Sequence, residues 1–186
     1  MTDATVLIVP GLRDHVTDHW QTHLAAQLPT AVTVAPLQVD KLSCAARVDA
    51  LDDALAAIAG PVVVVAHSAG VMMLAHWAQS RRPRGYVVGA LLATPADVES
   101  PFPAGYPTID TLQAHGWLPI PRMPLPFPTL LAASRNDPLC AFHRAQQLAL
   151  DWRSELVDLG DVGHLNPAAG YGPWPRALEL VARLGG

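Results

Sequence analysis

Only two cysteines, Cys44 and Cys140, occur in 186 residues, and neither sits in a C-x-x-C spacing. Two isolated thiols fit reduced, buried side chains better than a disulfide or zinc framework. Charge is also scarce, at 15% of residues, with 12 basic and 16 acidic side chains and no long run of either sign. This excludes the basic footprint of a nucleic-acid surface and the cationic face of a membrane-adsorbing helix, while the net charge of -4 favours solubility. Long apolar runs are missing: every hydrophobic stretch is too short or too interrupted to span a bilayer. The N-terminal MTDATVLIV has no basic region and too short an apolar segment for a signal peptide. A cytoplasmic chain with no nucleic-acid or membrane partner is expected. At 51% hydrophobic, the sequence can fill one sizeable core but is too short for two ordinary α/β domains, so a single domain over 1–186 is predicted.

What is present is organised around PVVVVAHSAGVMMLAHWA, residues 61–78. Four consecutive valines make a fully buried strand, small residues surround Ser68, and an apolar segment of helical length follows without a charge. Strand, tight turn and buried helix together form the arrangement usually written G-x-S-x-G, in which a serine hydroxyl is exposed at the carboxyl edge of a parallel sheet. Ala66 stands in place of the first glycine. The competing interpretation is a small-residue turn in which Ser68 merely caps the helix.

The remaining chain alternates strands with helices. Thr5 to Val9 reads as a strand ending at a Pro10-Gly11-Leu12 turn, with a helix from about Thr17 to Leu28. A strand follows at Thr33 to Pro36, and Ser43 can cap a helix reaching about Ala59. Further strands are predicted at Tyr86 to Ala93, Thr129 to Ser134 and Glu155 to Leu159, with helices at Leu139 to Asp151 and Pro175 to Leu184. Such alternation predicts a mostly parallel sheet with helices on both faces and ligands at the carboxyl ends of its strands. One segment breaks the pattern: Thr94 to Pro128 holds nine of the eighteen prolines together with Phe102, Tyr106, Trp117 and Phe127. It reads as an ordered loop over the sheet edge that walls a pocket.

A serine needs a base to become nucleophilic, and the base needs a partner to fix its tautomer. Asp137 lies just past the TLLAAS strand and His164 in the loop after the last strand, so Ser68, Asp137 and His164 follow in the chain order of α/β-hydrolases. Each has an ordinary alternative. Asp137 before Pro138 suits a helix N-cap, His164 could be a plain loop histidine, and Asp97, Asp158 and Asp161 are rival acids. The backbone amides of Ala69, directly after the serine, and Leu12, in the turn after the first strand, are the candidate oxyanion donors. His15, His19 and His23 recur every four residues but lack a carboxylate motif such as H-E-x-x-H, so a solvated helix face is favoured over a metal site. His67 should point away from Ser68 and serve structure.

The stretches VLIVPGL, DHWQ, VVAHSAG, LLATPADVE, LLAASRNDPLC and DLGDVGHLNPAAGYGPWP resemble the small α/β-hydrolase-fold serine hydrolases that include retinoblastoma-binding protein nine and many bacterial relatives. The resemblance runs nearly end to end. It implies a compact α/β-hydrolase fold without a large lid, a Ser68, Asp137 and His164 triad, and hydrolysis of small-molecule carboxylic esters with no cofactor or metal. The Leu-x-Cys-x-Glu segment behind the mammalian protein's name is absent, the nearest being Leu42-Ser43-Cys44-Ala45-Ala46, so retinoblastoma binding is not implied. The rival expectation is a catalytically weak or inactive hydrolase-fold module that binds a protein or small-molecule partner. Lacking an insertion long enough for a cap, the chain should form a shallow cleft for short acyl groups.

Overall fold

In the computed structural model, which describes residues 4–80 and 87–185, the valine-rich strand β3 (Val62–Ser68) lies at the centre of the sheet. It pairs in parallel with β1 (Thr5–Val9) on one side and β4 (Val87–Pro95) on the other. β2 (Ala31–Thr33) extends the sheet beyond β1, and β5 (Thr129–Ala133) and β6 (Glu155–Asp158) extend it beyond β4. The order is β2-β1-β3-β4-β5-β6, parallel at every pairing. Parallel neighbours need crossovers, and the helices supply them.

Successive strand side chains point to opposite faces, and both faces are apolar, which is why these strands read as unbroken hydrophobic runs. Leu7, Val62, Val64, Leu92 and Leu131 pack with α2 (Cys44–Ala56), α3 (Ala69–Ser80) and α5 (Phe142–Trp152). Ile8, Val63, Val65, Leu91 and Leu130 pack instead with α1 (Trp20–Gln27) and α6 (Arg176–Gly185). The expected two-sided covering is therefore present. Among the described residues, no helix is long and apolar enough to cross a membrane.

Several boundaries differ from the sequence expectation, each for a local reason. α1 starts at Trp20 rather than Thr17 because His19 is its N-cap, with Nδ1 accepting from the Gln21 amide. β2 ends at Thr33, where the expected strand began; this edge strand pairs only as far as Ile8 opposite Thr33. α2 is capped by Ser43 as anticipated, with Oγ accepting from the Ala46 amide, but it stops at Ala56. α5 starts at Phe142 rather than Leu139, because Leu139 is held outside the helix: its amide donates to Asp137 and its carbonyl accepts from the Asp97 amide. β4 is described from Val87, and Tyr86 of the predicted strand lies outside the described residues.

The proline-rich segment is ordered around one short helix, α4 (Ile109–Ala114), which the proline content had hidden. Trp117 is fully buried and its indole donates to the Leu42 carbonyl, tying the segment to the start of α2. At its other end Asp97 and Glu99 accept from Arg144, Glu99 and Asp151 pair with Arg122, and Trp152 donates to the Pro121 carbonyl.

Candidate active site

Ser68 closes β3 with φ +58, in the left-handed region that a serine rarely occupies. The β3–β4 register shifts between His67 and Ser68. The residue is thereby turned out of the sheet directly into α3, the geometry anticipated for an elbow. Two glycines permit the crowding. A side chain at Gly70 would collide with the Val9 carbonyl and lie 2.7 Å from the Pro10 carbonyl, and one at Gly11 would lie 3.1 Å from Ser68 Cβ. The end of β1, the following turn and the start of α3 thus pack closely, with no room for a methyl group at Gly70 and only a tight fit for one at Gly11.

Three separated strand ends meet here. His164 Nε2 lies 2.8 Å from Ser68 Oγ, and His164 Nδ1 lies 2.9 Å from both carboxylate oxygens of Asp137. His164 and Asp137 are both buried. An ionised carboxylate only accepts, so Nδ1 carries the proton and the unprotonated Nε2 accepts from the serine hydroxyl. Asp137 is not the N-cap of α5, since that helix starts five residues later with Ala141 at its cap position; instead Oδ1 also accepts from the Leu139 amide in a tight turn. The rival acids are engaged elsewhere or kept from the imidazole. Asp97 is fully buried against Arg144, Ser100 and the Glu99 amide, Asp158 binds Arg135, and the His164 Nδ1 that Asp161 would have to reach is taken by Asp137.

His67 has a specific structural partner: its Nε2–H donates to the backbone carbonyl of His164 at 3.0 Å, and the two rings lie 4.9 Å apart. Burial, with the nearby His164 and His19 charges, holds His67 well below the ordinary histidine range, so it stays neutral. No second positive charge then opposes an imidazolium at His164. The expectation of a solvated His15, His19 and His23 face is corrected. His15 precedes the helix, His19 is buried against His67 at a centroid distance of 4.6 Å, and His23 binds Asp18 at 2.7 Å. Burial, aided by His164, lowers His19 to about 4.

The Ala69 amide is the first of α3 and has no carbonyl four residues back within the helix. The Leu12 amide donates to no backbone acceptor among the described residues. Both residues line a cavity of about 430 Å³ that opens over Ser68 and His164. One side of it is formed by the turn after β1 and by α1, the other by Val98, Phe102, Tyr106, Leu112 and Trp117 of the proline-rich segment. The expected pocket wall is in place. The cysteines lie outside it; both are buried, and burial pushes Cys44 up to about 11 and Cys140 higher still, as suits inert thiols.

Two further residues belong to the site: Gln21, which closes the DHWQ stretch but whose role that stretch does not reveal, and Arg47, which carried no recognisable sequence signal. Gln21 sits inside α1, yet its amide nitrogen donates to the Val9 and Val65 carbonyls and stitches the ends of β1 and β3 together. Arg47 reaches from α2 into the turn after β1. Periodicity assigns both positions to helices, and a buried polar partner far away in sequence leaves no periodic trace.

Comparison with known proteins bears on the family and the fold. A family model described as serine hydrolase matches residues 6–183. A YdeN-like hydrolase from Pectobacterium atrosepticum is 34% identical, covering 98% of this chain and 91% of its own at a TM-score of 0.79. The ydeN gene product of B. subtilis (17% identity, 97% and 98% coverage, TM-score 0.75) and an N-formylmaleamic acid deformylase from Pseudomonas putida (15% identity, 97% and 92% coverage, TM-score 0.71) share the fold. No curated protein matches the chain. Matched over almost its whole length by that family model and by a relative of 34% identity, the chain belongs to the serine hydrolase family and has its α/β-hydrolase fold.

Proposed function

We propose that the protein hydrolyses small carboxylic esters through a Ser68, His164 and Asp137 triad and an acyl-enzyme intermediate. The observation that carries this reading is the unbroken hydrogen-bond chain from the Ser68 hydroxyl through both nitrogens of His164 to Asp137, opening on an apolar cavity. His164 Nε2 takes the hydroxyl proton as Oγ bonds to the ester carbonyl carbon. Asp137 holds the ring in the required tautomer and stabilises the resulting imidazolium. Negative charge gathers on the former carbonyl oxygen, which the Leu12 and Ala69 amides stabilise in this reading; the Ala69 amide also carries the positive end of the α3 dipole. As the carbonyl re-forms, the alkoxide leaves with the proton from Nε2. Water then gives a proton to the same nitrogen as its oxygen bonds to the acyl carbon; the C–Oγ bond breaks, the carboxylic acid leaves, and Nε2 returns that proton to Ser68 Oγ. No step calls for a cofactor.

The reading is tested with a fluorophosphonate probe and a p-nitrophenyl ester. Wild-type protein should be labelled on Ser68 and turn over the ester. Ser68→Ala should do neither while its Tm changes little, because alanine fits the same turn. Comparable turnover by the alanine variant would rule out the covalent mechanism. Folded wild-type protein that resists labelling would leave a binding module on a hydrolase fold.

A further inference from the structure

We infer that Arg47 is a positioning residue that holds the Leu12 amide in place for the oxyanion. This inference rests on the reading of Ser68 as nucleophile and Leu12 as donor. Arg47 belongs to α2, is not among the residues lining the cavity, and its side chain is only 4% exposed. All three of its bonds go to the two loops that follow β1 and β2. Nε donates to the Lys41 carbonyl at 2.7 Å, Nη1 to Asp14 Oδ1 at 3.0 Å, and Nη2 to the Leu12 carbonyl at 3.2 Å. Leu12, Asp14 and Lys41 each line the cavity over Ser68. A planar guanidinium with five donors can satisfy three acceptors in different directions at once, which an ammonium or an amide cannot do in the same geometry.

Besides Arg47, the Leu12 segment is held by the packing of the Leu12 side chain on the core and by Arg13 lying 5.6 Å over the Tyr106 ring. Residues 11–14 form a tight turn closed by the Asp14 amide on the Gly11 carbonyl at 3.0 Å, and Asp14 is held at φ +54. The turn's beginning is fixed by the close approach of Val9 and Pro10 to Gly70. Its far end is fixed by Arg47, which grips Leu12 on its carbonyl and Asp14 on its carboxylate. A displacement of the Leu12 peptide moves its amide relative to the Ser68 hydroxyl, and about 1 Å of misplacement costs on the order of 10²-fold in rate. Removing the guanidinium also leaves the Asp14 carboxylate half-buried without its cation, so the turn must rearrange to rehydrate it.

The experiment compares wild type, Arg47→Met, Arg47→Lys and Val48→Ala. Each is titrated with fluorophosphonate, and kcat and KM on p-nitrophenyl acetate are expressed per labelled site, alongside Tm. Val48 is a core residue on the same helix, so its truncation lowers stability without touching the Arg47 bonds. Arg47→Met should lower kcat per labelled site about 10- to 100-fold with KM little changed, since the loss falls on the transition state. Arg47→Lys should fall between Met and wild type, and Val48→Ala should lose Tm but keep kcat. Wild-type kcat per labelled site in both Arg47 variants, whatever their Tm, would make Arg47 merely structural and overturn the inference. If Arg47→Met does not fold, Arg47→Lys decides by the same criterion. Wild-type protein that is not labelled at Ser68 would overturn the nucleophile reading itself, and this inference with it.

Discussion

At Asp137 a single carboxylate serves two donors, the Leu139 amide at 2.8 Å and the Nδ1–H of His164 at 2.9 Å. An asparagine there can keep its oxygen on the Leu139 amide, but its NH₂ then faces Nδ1. That arrangement favours the tautomer with the proton on Nε2, where it cannot accept from Ser68. Asp137→Asn is therefore expected to keep its Tm while kcat falls severely, on the order of the 10⁴ seen when the acid of a protease triad is replaced by its amide. Steady-state kinetics on a p-nitrophenyl ester checks this. Near wild-type turnover would return the acid role to Asp97, Asp158 or Asp161, each of which would first have to leave its present surroundings. The alternative of a plain capping residue predicts almost no loss, because asparagine caps as well as aspartate.

At the scale of elements, the start of α1 carries a pH dependence that its sequence does not announce. His19 caps the helix, packs edge-on against His67 and is held near 4 by burial and by His164, while His67 is held well below its ordinary value by burial, His164 and His19. Above pH about 6.5 both rings are neutral in the folded and unfolded chain, so neither alters stability. As the pH drops below that value the unfolded chain binds protons that the folded one refuses, and stability falls from about 6.5 down toward 4. Asp97 acts in a lower window. Burial works to raise its pKa but is outweighed by its bonds to Arg144 and Ser100, so the depressed group contributes stability above the unfolded value of about 3.8 that is lost as pH falls through its folded value. His19→Asn keeps an oxygen for the Gln21 amide and removes one titrating ring. Its Tm should decline less than that of wild type between pH 7 and pH 4.5, as measured by thermal melts in matched ionic strength. An unchanged slope would assign the dependence to His67 and the remaining histidines.

For the whole molecule, the cavity is walled by the turn after β1, α1 and the proline-rich segment with its short α4. The segment 96–127 is fastened at Trp117, Asp97, Glu99 and Trp152, and it covers the sheet edge without forming a separate cap. A volume of about 430 Å³ must accommodate both the acyl and the leaving group. Each buried methylene contributes about 0.8 kcal/mol, so a deep acyl tunnel would raise kcat/KM with every added carbon until it was filled. Here the gain should end early. Across p-nitrophenyl esters from acetate to palmitate, kept below their aggregation limits, kcat/KM is expected to peak at short chains; a steady rise to palmitate would reveal a buried acyl channel.

The sequence by itself determined the alternation of strands and helices, the strand-turn-helix around Ser68, the order of Ser68, Asp137 and His164, and the membership that its motifs announce. These are local or ordinal features: a run of valines must be buried whatever surrounds it, and small residues beside a serine keep their meaning in isolation. Only the tertiary structure decided which acid meets His164, since Asp97, Asp137, Asp158 and Asp161 all lie near strand ends and differ only in what faces them across the sheet edge. It also moved His19 from a presumed solvated face into the core, gave His67 its carbonyl partner, and carried Arg47 from helix α2 to the turn beside the nucleophile. The physical reason is the same in each case. A buried polar side chain is fixed by a partner distant in the chain, and hydrophobic periodicity records which side of an element is buried but not what a polar group meets there.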